Sequence, residues 1–244
     1  MGIKCASGKA GADKSKKPYI RKIRDITEVS VWLVDGKYVR KNICEDFVNY
    51  DHHYHLSFIP KNEFWIAAGT EPMEIEFYIY RMLAERRFVS DGMNYNEASQ
   101  KAAEIERHER AKSELVRKIG SRRSDTKEII IRIHKRLLKK YSGMVKIWIV
   151  DGELVRSLLY VDFGGGGHDR VYDFIPEGEM WIDDSVPEND RKFIMLHELH
   201  ERSLMTMGLD YPHSHKGATK MEDFFRHHPE KLGKAIRDEM KLQD

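Results

Sequence analysis

The sequence predicts an α+β fold in which one unit, β-hairpin, β-hairpin, helix, helix, occurs twice in tandem. Three observations carry this. Residues 31–40, VWLVDGKYVR, return at 147–156 as IWIVDGELVR. Residues 58–66, FIPKNEFWI, return at 174–182 as FIPEGEMWI, at the same offset of 116 residues (31 to 147, 58 to 174) and with no gap. After each second block the apolar spacing changes from strand-like to helical, as in Phe193, Leu196, Leu199, Leu204 and Met207.

The elements follow in order. Residues 1–17 are rich in Gly, Ala, Ser and Lys and poor in large apolar groups, and read as a disordered basic tail. The first repeat spans 18–120. Apolar runs at 29–34 and 37–43 flank Asp35-Gly36, and runs at 146–150 and 153–161 flank Asp151-Gly152. Asp-Gly between such runs predicts a tight hairpin, because both residues tolerate positive φ. A second hairpin is expected from 55–59 to 63–67 through Pro60-Lys61-Asn62, and from 170–175 to 179–183 through Pro176-Glu177-Gly178. Helices are expected at 72–89 and 187–207, with Gly92 and Gly208 as C-terminal caps. Further helices are expected at 96–116, 214–227 and 230–242. Residues 121–144 read as a linker whose helix covers 126–141, opened by a capping box of Asp125 and Glu128. The second repeat spans 145–244.

With 244 residues, 41% of them hydrophobic, the chain is long enough for two units of about 110 residues, each with its own core. A net charge of +2 says little about partners. The local charge says more. Residues 1–24 hold eight Lys and Arg against the single acid Asp13, and residues 107–140 are also basic. Two cysteines, Cys5 and Cys44, are too few for a disulfide framework or a cysteine zinc site. They fit a reducing, intracellular setting. No run is long enough for a transmembrane helix, and no apolar stretch follows the basic N-terminus as in a signal peptide.

The repeat also exposes a candidate site by subtraction. In the common register HELHER (197–202) lies opposite RMLAER (81–86). His197 faces Arg81, Glu198 faces Met82, His200 faces Ala84 and His215 faces Ser99. Asp183 and Asp184 face Ala67 and Ala68. Scaffold residues persist while these polar groups disappear together, which a purely structural role does not predict. On a helix, His197 with Glu201 or with His200 shares one face and can hold one metal ion. Imidazole and carboxylate suit a divalent ion, zinc first. His215 is the expected third ligand. Asp183 and Asp184 are expected to complete the shell or orient a ligand histidine. Glu198 lies off the ligand pair, within reach of a metal-bound water. The alternative is that Glu198, Glu201 and Arg202 form surface ion pairs at i,i+3 and i,i+4. His168 matches His52, and its presence in both repeats argues against an active-site role; it is kept as a group that could orient a ligand or stand in for one. Residues 164–167, GGGG, lack the Lys-Ser/Thr of a phosphate loop and read as a flexible or closely approached turn. His213, His227 and His228 read as surface histidines.

HELHE is similar to the HExxH signature of the zincin metallopeptidases, with Glu201 in place of the second His. The resemblance implies His197 and Glu201 (or His200) as ligands, Glu198 as general base and a peptide as substrate. The segment FGGGGH, FIPEGEMWIDD, HELHERSLM, GLDY also resembles a group of uncharacterised phage and bacterial proteins; it covers about the last hundred residues and implies no activity. Three functions are expected to compete. The first is a metal-dependent hydrolase with Glu198 as proton acceptor. The second is a nucleic-acid-binding module using residues 1–24 and 107–140. The third is a phage factor that binds a host protein. The expected compartment is the cytoplasm, that of the host cell for a phage-encoded chain.

Overall fold

The structure, a computed structural model, describes residues 18–44, 46–114, 116–117 and 126–243. The expected tail at 1–17 and the capping residue Asp125 lie outside the described residues. The chain divides into two compact units, Met1–Arg122 and Arg123–Asp244, each α+β.

Unit 1 runs β1 (Tyr19–Ile26), β2 (Val29–Val34), α1 (Gly36–Asn42), β3 (Tyr50–His52), β4 (Glu63–Ala67), α2 (Pro72–Ser90) and α3 (Tyr95–Ala111). Its sheet has the order β1-β2-β4-β3. Unit 2 runs α4 (Thr126–Ile133), β5 (His134–Leu137), β6 (Lys146–Val150), α5 (Gly152–Leu158), β7 (Gly166–His168), β8 (Glu179–Asp183), α6 (Arg191–Thr206), α7 (Tyr211–His227) and α8 (Pro229–Lys241). Its sheet has the corresponding order β5-β6-β8-β7. The outer strand β1 is bulged between Tyr19 and Arg21 and again between Lys22 and Arg24, and the outer strands β3 and β7 are three residues long.

The Asp-Gly pairs do not turn hairpins. Asp35 and Asp151 instead cap helices: their carboxylates accept from the backbone N–H of Tyr38 (2.9 Å) and Leu154 (3.1 Å). Aspartate is as good a helix N-cap as it is a turn residue, and here the cap wins. Short helices α1 and α5 then carry the chain across, so that β2 runs parallel to β4 and β6 runs parallel to β8. The glycines serve close approach rather than positive φ. A Cβ on Gly152 would overlap the Asp183 carboxyl group, whereas one on Gly36 would meet Ala67 Cβ at 3.1 Å. Asp183 is fully buried and pinned by Arg156, so it has nowhere to move. Gly152→Ala is therefore expected to cost about 1–3 kcal/mol, and Gly36→Ala less. Urea denaturation of the two variants checks the order.

The second expected hairpin is antiparallel as expected, but its first strand lies earlier. β3 pairs with β4 and β7 with β8 through Tyr50–His52 and Gly166–His168, not through 55–59 and 170–175. After His168 the chain turns at once, because the N–H groups of Val171 and Tyr172 both bond back to the His168 carbonyl. The expected linking helix also stops early. Residues 134–137 form β5 on the edge of β6, since pairing there satisfies backbone groups that a continued helix would satisfy only locally.

Each sheet packs one face against its long helices. In unit 2, Ile147, Ile149, Met180 and Ile182 meet Phe193, Leu196 and Leu199 of α6 and Leu232 and Ile236 of α8. In unit 1, Val29, Val31, Phe64 and Ile66 meet Tyr78, Ile79 and Met82 of α2. Gly208 caps α6 at φ 95°, with Gly208 N–H to Met205 O and Leu209 N–H to Leu204 O, a Schellman stop as expected. Asp210 then caps α7 by accepting from His213 N–H (3.1 Å). Only the four residues Met207 to Asp210 lie between α6 and α7, so the first turn of α7 folds back against α6. No helix among the described residues is long and apolar enough to cross a membrane.

Candidate metal centre

Helix α6 carries two kinds of buried surface. Phe193, Leu196 and Leu199 face the sheet, while His197, Glu198, Glu201 and Arg202 are buried without being apolar. The surface ion-pair alternative therefore fails on burial. Buried ionisable groups need partners; His197 and Glu201 find them across the α6–α7 contact, and Arg202 finds Asp169 and Gln243.

His197, Glu201 and His215 come together. His197 Nε2 lies 3.2 Å from His215 Nδ1 and 3.7 Å from Glu201 Oε2, and His215 Nδ1 lies 2.7 Å from the same Oε2. Around a tetrahedral zinc with bonds near 2.0–2.1 Å, neighbouring ligand atoms stand about 3.3 Å apart. The three separations straddle that value, so the donors need only small adjustments to share one ion. The other nitrogen of His197, Nδ1, lies 2.9 Å from Glu222 Oε2. An ionised carboxylate only accepts, so Nδ1 carries a proton, and Nε2 is the atom that could give up its own proton and offer a lone pair to an ion beside His215 and Glu201. Arg226 holds Glu222 in place (2.8 and 2.6 Å) and is itself held by Asp190 (2.5 Å).

His168 sits on the far side of Glu201, its Nε2 3.2 Å from Oε1. Its Nδ1 accepts the backbone N–H of Arg170 at 3.2 Å. The ring's proton must then be on Nε2 and point at Glu201. His168, Glu198 and Glu201 lie close enough to suggest a second ion, but this tautomer makes His168 a donor that orients Glu201. Glu198 is 8% exposed and makes no side-chain hydrogen bond among the described residues. Its Cγ packs where a Cβ on Gly166 would stand, at 3.1 Å, and Tyr172 packs on Gly167, so of residues 164–167 the two in β7 are closely approached. His215, with its side chain 45% exposed and Tyr211 5.5 Å away ring to ring, forms the open side.

Other predicted residues fall elsewhere. His200 points to α8, with Nδ1 2.9 Å from Glu239 Oε1. Between the two residues left open as ligands, the fold brings Glu201 to the cluster. Asp183 is bound by Arg156 and accepts from Ser185 N–H. Asp184 pairs with Lys135 and accepts from Gly152 N–H (3.2 Å). Neither orients a cluster histidine, because both are used where β8 meets α5. Of the histidines expected at the surface, His213 is exposed beside Asp210 and His227 bonds within its own helix. Sequence reasoning missed Glu222, Arg226 and Asp190. The available signal was their register partners Glu106, Arg110 and Glu74.

Electrostatics follow from this packing. Burial opposes charging of His197, but hydrogen bonds to Glu201 and Glu222 outweigh it and lift its pKa to about 10. Burial pushes Glu198 up to about 8, with Glu201 and Glu222 adding repulsion. Burial also works against ionised Glu201, yet His168, His197 and His215 together hold its pKa far below the usual range. For Glu222, burial is overcome by His197 and Arg226, down to about 2.

At the same register positions, unit 1 holds a different set. Arg81 Nε lies 2.9 Å from Glu85 Oε1, Nη1 3.2 Å from Glu106 Oε2 and Nη2 3.0 Å from Ser99 Oγ. His52 Nε2 donates to Glu85 Oε2 at 2.8 Å, and its Nδ1 accepts from Tyr54 N–H. Arg110 binds Glu106 (2.9 and 2.6 Å) and Glu74. Burial raises the Glu85 pKa, but His52 and then Arg81 reverse this and leave it depressed. A depressed carboxylate contributes stability that is complete above its unfolded pKa, about 4.3, and lost as pH falls through the folded value. The unfolding midpoint of the wild type is thus expected to fall with acid more steeply than that of Glu85→Gln. Parallel slopes in denaturant titrations from pH 6 to 3 would remove Glu85 from the account.

Some described residues of the basic segments are engaged within the chain. Arg24 binds Glu76, Arg132 binds Glu128, and Arg110 is fully buried. In comparisons with family models, curated proteins and solved structures, nothing matches this chain.

Proposed function

We propose that unit 2 is a metal-dependent hydrolase whose ion, zinc in the first instance, is held by His197 Nε2, Glu201 Oε2 and His215 Nδ1. The observation that carries this reading is the triangle of donors at 2.7, 3.2 and 3.7 Å, with the remaining nitrogen of His197 clamped by Glu222. Three protein ligands with one open side is the pattern of catalytic rather than structural zinc. A divalent ion there would acidify water and polarise a substrate oxygen. Glu198 supplies the proton chemistry. Buried beside the ligands, it takes a proton from the attacking water and passes it to the leaving group. His168 and Glu222 keep Glu201 and His197 aimed. The zincin resemblance favours a peptide substrate.

The chain also reads as a tandem duplication in which unit 1 has kept the scaffold and lost the ligands. Matching strand order, parallel-pair register and capping aspartates support this. Elemental analysis of the purified chain tests the metal reading. About one equivalent is expected in wild type and none in His197→Ala/His215→Ala, by analogy with sites that need three protein ligands. Equal metal in both would sink it.

A further inference from the structure

We infer that the guanidinium of Arg81 is a resident cation standing where unit 2 takes a metal ion, so that unit 1 contains a latent divalent-metal site closed by its own arginine. The inference rests on the metal reading of unit 2. Three contacts of Arg81 correspond one to one with those of His197. Arg81 reaches Glu85, Glu106 and Ser99; His197 reaches Glu201, Glu222 and His215, which occupy the same register positions. The outer supports correspond as well. His52 and His168 donate to the central glutamate, and Arg110 and Arg226 brace the second. The centre differs, as do its neighbours Ser99 for His215 and Met82 for Glu198.

Charge explains why something positive must be there. In unit 1 the carboxylates of Glu74, Glu85 and Glu106 face two guanidiniums, Arg81 and Arg110. In unit 2, Asp190 and Glu222 face one, Arg226, and Glu198 and Glu201 stand beside them with none among the described residues. With every one of these carboxylates ionised, unit 2 carries two more negative charges than unit 1, the charge of one divalent ion. Burial makes that surplus costly unless an ion or protonated histidines offset it. Unit 1 has solved the same problem covalently. Tyr50, in register with Gly166, stacks on Tyr78 (4.1 Å), so the ring fills a position that unit 2 leaves to a glycine against Ile194 and Glu198.

Cobalt(II) titration followed by its visible absorbance tests this. Wild type is expected to saturate at one equivalent and Arg81→His/Ser99→His at two. The same double variant carrying His197→Ala and His215→Ala is expected to take one. If wild type binds none and Arg81→His/Ser99→His binds one, the reading of unit 2 fails while the latent site of unit 1 stands. If the folded double variant still saturates at one equivalent in the wild-type background, the inference is overturned. The reciprocal exchange keeps the question open to decision should that variant not fold. His197→Arg/His215→Ser is expected to bind no cobalt and to melt at or above His197→Ala/His215→Ala, with a midpoint that a chelator does not move. Melting below the alanine variant would overturn the inference, because the guanidinium would then not replace the ion.

Discussion

Glu198→Gln is expected to abolish turnover while the metal stays bound. The substitution keeps side-chain volume, which matters because Glu198 Cγ fills the space that the missing Cβ of Gly166 leaves. Among the described residues it removes no hydrogen bond, since the carboxylate makes none. It leaves His197, Glu201 and His215 untouched. What it removes is the group able to accept a proton beside the ligands, and general base catalysis contributes about 10²–10⁴ in rate. The measurement pairs hydrolysis of a fluorogenic peptide library with metal content. Wild-type rates in a variant that retains its metal would take Glu198 out of the mechanism. Loss of metal together with rate would make it a ligand instead.

Arg81→Met is expected to destabilise unit 1 by about 3–5 kcal/mol, the usual cost of removing one partner from a buried ion cluster. Glu85 and Glu106 are nearly or fully buried and would each lose a guanidinium contact. His52 and Arg110 would remain, but each already serves its own carboxylate. Methionine preserves much of the apolar stem, so the loss reports charge more than packing. Denaturant unfolding should show it as an earlier transition of unit 1. A shift below about 1 kcal/mol would mean that the cluster tolerates a bare carboxylate pair, contrary to the cost expected for unpaired buried charge.

The sequence was most legible where chain geometry is local and least where it is not. The stop at Gly208 follows from glycine's access to positive φ, and the helix it ends lies within a few residues of expectation. Asp35-Gly36 misled because one dipeptide serves two devices, and only the parallel partner β4 decides between them. β1 and β5 escaped notice because they are polar edge strands with little apolar alternation. At the candidate site, subtraction of one repeat from the other singled out His197, Glu198 and His215. The same operation hides whatever both repeats keep, which is why Glu222 was missed. It also flagged His200, whose difference from Ala84 reflects Glu239 on α8. The register positions of α8 in unit 1 fall at 113–125, mostly outside the described residues.

The rims of the two sheets bear on how the protein behaves at high concentration. An uninterrupted, flat outer strand offers its free amides and carbonyls to a neighbouring molecule and seeds fibres. Here one rim of unit 1 is kinked twice and studded with Arg21, Lys22 and Arg24, and the opposite rim of each sheet ends after three residues. Such borders discourage stacking between molecules, so refolding from denaturant should favour the monomeric sheet over amyloid-like pairing.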